Sequence, residues 1–122
     1  MDPHIVLSLF HIFLVVPLFL YVAFQRAAIP SWLYTALLIL GVIILAYHGY
    51  KAMIRARLMS PSLWINLLHV FYVAPLLIYI GYTGKNTPRP AYELMAMVGF
   101  AALGYHLYNL ILSINSIQDA TD

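Results

Sequence analysis

The sequence predicts an all-α membrane protein: an up-down bundle of four transmembrane helices built from two tandem two-helix repeats. Two observations predict this fold, an apolar composition and an internal repeat. Of the 122 residues, 64% are hydrophobic and 8% are charged, against about 45–50% and about 25% in soluble domains. A chain of this length cannot bury so much apolar surface in a core of its own. We therefore expect a single membrane domain, 1–122, with lipid as its solvent.

The internal repeat covers nearly the whole chain. Residues 1–58 align without a gap with residues 59–116, and a polar tail follows at 117–122. Most paired positions have drifted from one apolar residue to another, whereas the identical pairs are rich in His, Tyr, Pro and Gly. A period of this length indicates a repeated structural unit. The identical pairs include His11/His69, Pro17/Pro75, Tyr21/Tyr79, Pro30/Pro88, Tyr34/Tyr92, Gly41/Gly99, Tyr47/Tyr105 and His48/His106.

Four apolar runs are each long enough to cross about 30 Å of hydrocarbon as a helix. In lipid the backbone must satisfy its own hydrogen bonds, so these runs are predicted to be helices and not strands. The first run lacks a basic stretch before it and a small-residue cleavage site, and we expect a retained helix. The runs lie near residues 5–24, 32–54, 63–82 and 92–112.

Prolines and glycines mark the turns between these helices. The links near 25–31, 55–61 and 83–90 contain Pro30, Pro61 and Gly84 respectively, which are ordinary breaker signals. Pro17 and Pro75 lie inside the first and third predicted helices. Because proline donates no backbone hydrogen bond, we expect a kink at each.

The number of helices sets the topology, and the cations say little about orientation. Each repeat crosses twice, so both termini share one side, and the repeats should be related by a pseudo-twofold axis along the membrane normal. Three cations fall on each side, and the tightest cluster lies on the side of the termini. Equal numbers of cations on the two sides mean that the positive-inside rule does not select an orientation. The position of the tightest cluster predicts cytoplasmic termini. The cations are Lys51, Arg55 and Arg57 against Arg26, Lys85 and Arg89.

Four histidines are predicted to lie in one layer. His11 falls about six residues into the first helix and His48 about six residues before the end of the second, which puts both roughly 9–10 Å below one membrane face. Duplication places His69 and His106 at the same depth. Ionisable groups within a membrane usually face the bundle interior. We therefore expect four imidazoles to meet there.

The neighbours of the histidines predict a one-sided pocket. Three residues toward the surface, on the same helix faces, stand the polar residues Ser8, Asn66, Lys51 and Asn109. Toward the membrane centre the faces carry leucines together with Gly41 and Gly99. A through-pore would need polar lining across the whole membrane. Glycine on a buried face lets another backbone or a flat ligand come close.

One interpretation is a haem b site. Imidazole is a common axial ligand of haem iron, and the axial pair would be His11 with His69 or His48 with His106. Gly41 and Gly99 would leave room for the ring, and its propionates would point toward Lys51, Asn66 and Asn109. This arrangement is similar in architecture to the membrane b-type cytochromes, which place bis-histidine haem within four helices. A haem or metal bound here would serve electron transfer or sensing.

The sequence favours binding of haem or of a bare transition metal, and two alternatives to metal binding stay open. A bare zinc, copper or iron ion could be held by the same four imidazoles. Histidines beside tyrosines could relay protons or conduct ions. The histidines could also be purely structural. Enzymatic turnover is not supported, since there is no catalytic constellation, and a net charge of +2 without a basic stripe argues against nucleic-acid binding.

The second repeat carries a further resemblance. The pattern resembles short uncharacterised membrane proteins of large DNA viruses and covers nearly the whole chain, once per copy. The first copy departs from it at Gln25, Arg26 and Ala28. The resemblance implies a viral or host membrane and no activity. A redox partner and pairing of two copies stay open. The residues that carry it are His69, Pro75-Leu76-Leu77, Tyr79, Gly81, Asn86-Thr87-Pro88, Tyr92, Gly99 and Tyr105-His106-Leu107-Tyr108.

Overall fold

The computed structural model describes residues 2–121 and is helical almost throughout, with no strand in that range. All four helices are long and apolar enough to cross a membrane. This confirms the predicted all-α membrane protein with four spans. The helices are α1 (Pro3–Ala28), α2 (Ser31–Arg57), α3 (Leu63–Asn86) and α4 (Arg89–Thr121).

The sequence repeat is also a structural repeat. In each copy a π-helical turn is followed by an α-helical segment and a 3-10 turn, and the bounds of these segments recur after 58 residues. The next helix then begins at Ser31 in the first copy and at Arg89 in the second. The π-helical turns are His11–Val15 and His69–Val73, the α-helical segments Val16–Gln25 and Ala74–Thr83, and the 3-10 turns Arg26–Ala28 and Gly84–Asn86.

A π-helical turn precedes each intramembrane proline. The backbone N–H of Val16 donates to the carbonyl of His11, and that of Ala74 donates to the carbonyl of His69. Both bonds reach five residues back, one more than in an α-helix. The following residue is Pro17 or Pro75, which has no N–H to donate. The disruption expected from the prolines is thus a widened turn that begins at a histidine.

The four helices divide into two compact units that cut across the repeats. Met1–Gln25 packs with Tyr92–Asp122, and Arg26–Ala91 forms the other unit. We call the first the terminal unit, which contains most of α1 and α4, and the second the central unit, which contains α2 and α3. Each unit therefore takes one helix from each repeat.

In the central unit, α2 and α3 run antiparallel and approach closely at two glycines. A Cβ atom on Gly81 would lie 2.5 Å from the backbone nitrogen of Leu38, and one on Gly41 would lie 2.8 Å from Cγ1 of Ile78. Rising numbers in α2 meet falling numbers in α3, which defines the antiparallel sense. Leu77 and Ile80, both on α3, are fully buried.

The terminal unit repeats the antiparallel pairing with α1 and α4. A Cβ atom on Gly99 would lie 2.9 Å from Cδ2 of Leu20. Phe24 meets Phe100 edge to face, with 6.4 Å between ring centroids. Val22 and Met95, which belong to this unit, are fully buried, and van der Waals packing is what drives the association of apolar helices in lipid.

Candidate histidine site

The intramembrane histidines form two stacked pairs, one in each unit. In the terminal unit the rings of His11 and His106 stack with centroids 4.1 Å apart and planes 18° apart. In the central unit His48 and His69 stack at 4.0 Å and 10°. All four side chains are half-buried. The repeat maps one pair onto the other, and neither stacked pair is one of the two axial pairs that the sequence suggested.

An aromatic neighbour in sequence stands edge-on to three of these rings. Tyr47 lies against His48 with centroids 5.1 Å apart, and Tyr105 lies against His106 at 5.2 Å. Phe10 makes the same kind of contact with His11 at 5.4 Å. Edge-to-face packing is a favoured arrangement for aromatic rings, so it helps to hold the imidazoles in place.

The histidines that begin the π-helical turns share one hydrogen bond. Nδ1 of His11 donates to the carbonyl of Leu7 at 2.9 Å, and Nδ1 of His69 donates to the carbonyl of Ile65 at 2.7 Å. A carbonyl oxygen only accepts, so the hydrogen must be on Nδ1. In a neutral ring the lone pair is then on Nε2.

His48 has a different partner from His11 and His69. Its Nδ1 lies 2.9 Å from Nδ2 of Asn66, a buried residue on α3. Oδ1 of the same amide accepts from Nη1 of Arg55 at 2.6 Å. The arginine also donates to the carbonyl of Ser62 at 3.5 Å. A polar chain thus runs from Arg55 on α2 through α3 and back to His48 on α2.

The other polar residues predicted next to the histidines take up separate positions. Ser8 is buried in α1, and Lys51 is half-buried in α2. Nδ2 of Asn109 donates to the carbonyl of Tyr105, one turn earlier in its own helix, at 2.9 Å. Asn66 is the member of this predicted layer that the structure brings to a histidine, and that histidine belongs to the neighbouring helix.

Gly41 and Gly99, expected to admit a backbone or a flat ligand, admit the neighbouring helix. Side chains of Leu77 and Ile78 occupy the space beside Gly41, and those of Phe19 and Leu20 occupy the space beside Gly99. Close helix packing therefore accounts for both glycines within their own units.

The pairs also limit what a metal ion could do. A metal bound to imidazole lies in the plane of the ring along the nitrogen lone pair, so two parallel rings about 4 Å apart cannot share one ion through both lone pairs. Among residues 2–121, neither unit gathers three or more His, Asp or Glu side chains in an arrangement that could hold a metal ion. As oriented, each pair can offer one ring to a given ion.

Arg55 is the residue of this site that sequence reasoning missed. The sequence pattern marks Arg55 only as a cation that bears on membrane orientation. The signal was its spacing, because it lies seven residues after His48, which places it two turns away on the same helix face.

No protein-family model, curated protein or solved structure matches this chain. The resemblances to viral membrane proteins and to membrane b-type cytochromes stay predictions.

Proposed function

We propose that this membrane protein binds a transition metal, as a bare ion or as haem iron, through Nε2 of His11 within the terminal unit and through Nε2 of His69 within the central unit. One observation carries the proposal: both imidazoles donate Nδ1–H to a carbonyl of their own helix. Metal-ligating histidines almost always make such a bond, because it fixes the ring and leaves the Nε2 lone pair for the metal.

The packing favours a bare ion over haem. A porphyrin needs a wide apolar slot, and the sequence placed that slot beside Gly41 and Gly99. Side chains of the neighbouring helix occupy the space beside both glycines. Zinc, copper and iron all accept imidazole, and only copper and iron would support electron transfer, since zinc has no redox chemistry.

A purely structural role is the second candidate, and the ring stacking favours it. Each stacked pair joins the two helices of one unit, with centroids 4.0 Å apart in the central unit and 4.1 Å apart in the terminal unit. Such contacts stabilise helix pairs by about 0.5–1.5 kcal/mol when they resemble other aromatic pairs. On this view the Nδ1 bonds orient the rings for stacking and serve no metal.

A cobalt titration separates the two candidates. Purified protein in detergent micelles would be titrated with cobalt(II) chloride, whose visible absorption reports nitrogen coordination, and with zinc chloride in competition. We expect His11→Ala to weaken binding in the terminal unit, and His69→Ala to weaken binding in the central unit, by at least about tenfold each. The matched control is His4→Ala, because His4 is exposed at the start of α1 and should not matter.

The same preparation tests the remaining interpretations. A Soret band that shifts on reduction would select haem over the bare ion. Proton flux in liposomes that His48→Ala abolishes would select the proton relay. No cobalt or zinc binding and no Soret band, together with a loss of thermal stability in His11→Ala, would overturn the metal proposal in favour of the structural role.

A further inference from the structure

We propose that Arg55 and Asn66 are positioning residues that hold His48 as the Nε2–H tautomer and so remove it from the metal ligands. The tautomer follows from contacts within the central unit. The consequence for metal binding rests on the proposed function. His69 is then the ligand that this unit supplies, although sequence reasoning counted His48 as its equal.

The arginine settles which way the amide of Asn66 points. A guanidinium has only hydrogen-bond donors, and Nη1 of Arg55 lies 2.6 Å from the amide of Asn66. The amide atom at that position must accept, so it is the oxygen. The reversed amide would place an N–H₂ group against the guanidinium, with two donors facing each other at close range.

The orientation of the amide then settles the tautomer of His48. Nδ2 of Asn66 is the amide atom 2.9 Å from Nδ1 of His48, and an amide nitrogen only donates. Nδ1 must therefore accept, and the hydrogen of the neutral ring is on Nε2. A metal ion needs a nitrogen lone pair, but that of Nδ1 is engaged by Asn66 and Nε2 carries the hydrogen.

Burial makes the hydrogen bonds that link Arg55, Asn66 and His48 costly to break. Asn66 is 2% exposed, and a buried amide without partners loses the hydrogen bonds that water would have supplied. Rotation of the Asn66 side chain would give up its bonds to both Arg55 and His48. The low dielectric of a helix interface also strengthens the bond from a charged donor. The tautomer is held from outside the ring, through two residues.

The sequence of the terminal unit has no counterpart of the arginine and asparagine that hold the tautomer of His48. By the repeat, His106 corresponds to His48, and the positions equivalent to Asn66 and Arg55 hold Ser8 and Ser113. A hydroxyl can donate or accept, so serine imposes no tautomer on a histidine. The two stacked pairs therefore share their geometry and differ in the chemistry that they can offer.

Nitrogen NMR tests the tautomer without any metal. In protein labelled with ¹⁵N-histidine in lipid bilayers, a protonated and an unprotonated ring nitrogen resonate far apart. We expect an unprotonated Nδ1 and a protonated Nε2 for His48, identified by the signals that His48→Ala removes. In Asn66→Asp the carboxylate accepts from the ring, so the hydrogen should move to Nδ1. A second variant, Arg55→Met, frees the amide to rotate and should give a mixture of both forms.

The matched control is Asn109→Asp. It introduces the same carboxylate one turn from His106, in a side chain that bonds its own helix, and it should leave the His48 signals unchanged. A protonated Nδ1 of His48 in the unaltered protein would overturn the proposal. So would an Asn66→Asp variant that folds and keeps the original tautomer.

Cobalt binding tests the choice of ligand. Asn66→Asp exposes the Nε2 lone pair of His48 and should tighten cobalt(II) binding about tenfold, which is the effect of a carboxylate behind a ligating histidine. His69→Ala should weaken binding at least about tenfold, and His48→Ala should change it less than twofold. Equal losses in His48→Ala and His69→Ala would overturn the exclusion of His48. Absence of cobalt binding in every variant would overturn the metal function, and the NMR result would then stand on its own.

Discussion

At the scale of single residues, one arginine occupies a backbone conformation that suits glycine. Arg26 has φ +52°, and its counterpart in the second repeat, Gly84, has φ +58°. Both residues begin the 3-10 turn that ends a transmembrane helix. An L-residue in this left-handed region is strained by roughly 1–2 kcal/mol, because its Cβ approaches the backbone, whereas glycine has none.

We predict that Arg26→Gly raises the free energy of unfolding by about 1 kcal/mol through relief of this strain. Unfolding by sodium dodecyl sulfate in mixed micelles would measure the change. Arg26→Lys is the control, because lysine keeps both the charge and the Cβ atom. An equal gain in the lysine variant would show that charge, and not backbone strain, limits stability at this position.

Sequence reasoning at this scale found the histidines and Asn66 but not their partners. Composition and the repeat single out His11 and His48, since an intramembrane histidine is rare and needs an explanation. The link between Arg55, Asn66 and His48 depends on which helix faces which, and on an amide orientation that no pattern encodes. The connection of Arg55 to His48 is seen only in the hydrogen bonds that Asn66 makes with both residues.

At the scale of elements, glycines set how closely α2 approaches α3. A Cβ atom on Gly81 would meet the backbone of both Tyr34 and Leu38 within 2.7 Å, and backbone atoms cannot move aside as a flexible side chain can. Gly49, on α2, would meet nothing within 4 Å. Two glycines with the same intrinsic properties therefore differ in what they do for packing.

We predict that Gly81→Ala lowers the free energy of unfolding by about 1–3 kcal/mol, because the helices must separate to admit the methyl group. Gly49→Ala should be neutral or stabilise by up to about 1 kcal/mol, since alanine is the better helix former. Both values come from the same denaturation in mixed micelles. Equal effects at the two positions would contradict the close approach at Gly81.

The π-helical turns are a feature of the helices that the sequence predicted only in part. Pro17 and Pro75 predict the loss of a backbone hydrogen bond, and a π-helical turn lies just before each of them. Proline can produce a bend, a widened turn or both, and the packing around it decides. The sequence therefore predicted the place of the irregularity, but not that it would begin at the histidines.

We predict that Pro75→Ala disturbs the stacking of His48 and His69. Alanine restores an N–H that can bond to Phe71, so the turn can become regular. The residues before it would then rotate by about 100° relative to those after it. Stacked rings shield one another, so the upfield shift of the ring protons in the NMR spectrum should be lost. Pro30→Ala is the control outside the spans, and unchanged shielding in Pro75→Ala would refute the prediction.

At the scale of the whole molecule, the packing units and the sequence repeats have different boundaries. Hydropathy and the repeat were sufficient to predict four spans and their order. They did not determine pairing, because a hairpin of neighbouring helices and a pairing across repeats satisfy the same pattern. The structure pairs α2 with α3 and α1 with α4, so each unit is assembled from both repeats.

We predict that residues 1–58 and 59–122, expressed together as separate chains, copurify from membranes. Each chain holds one helix of each unit, so neither chain alone can form a stacked histidine pair. Gly81→Ala in the second fragment should reduce the recovered complex, and Gly49→Ala in the first should not. Two halves that purify separately, each stable on its own, would contradict the pairing.

The packing of α1 against α4 also determines the order in which the two units can assemble during synthesis. The central unit is complete once residue 91 has entered the bilayer, because α2 and α3 follow one another in the chain. The nascent α1 must wait for α4, with the face that will pack against Gly99 turned to lipid meanwhile. Domains commonly fold as units during synthesis, and late-closing partners are the species exposed to misassembly. A stop codon upstream of α4 would thus leave α1 inserted in the membrane without the helix against which it packs.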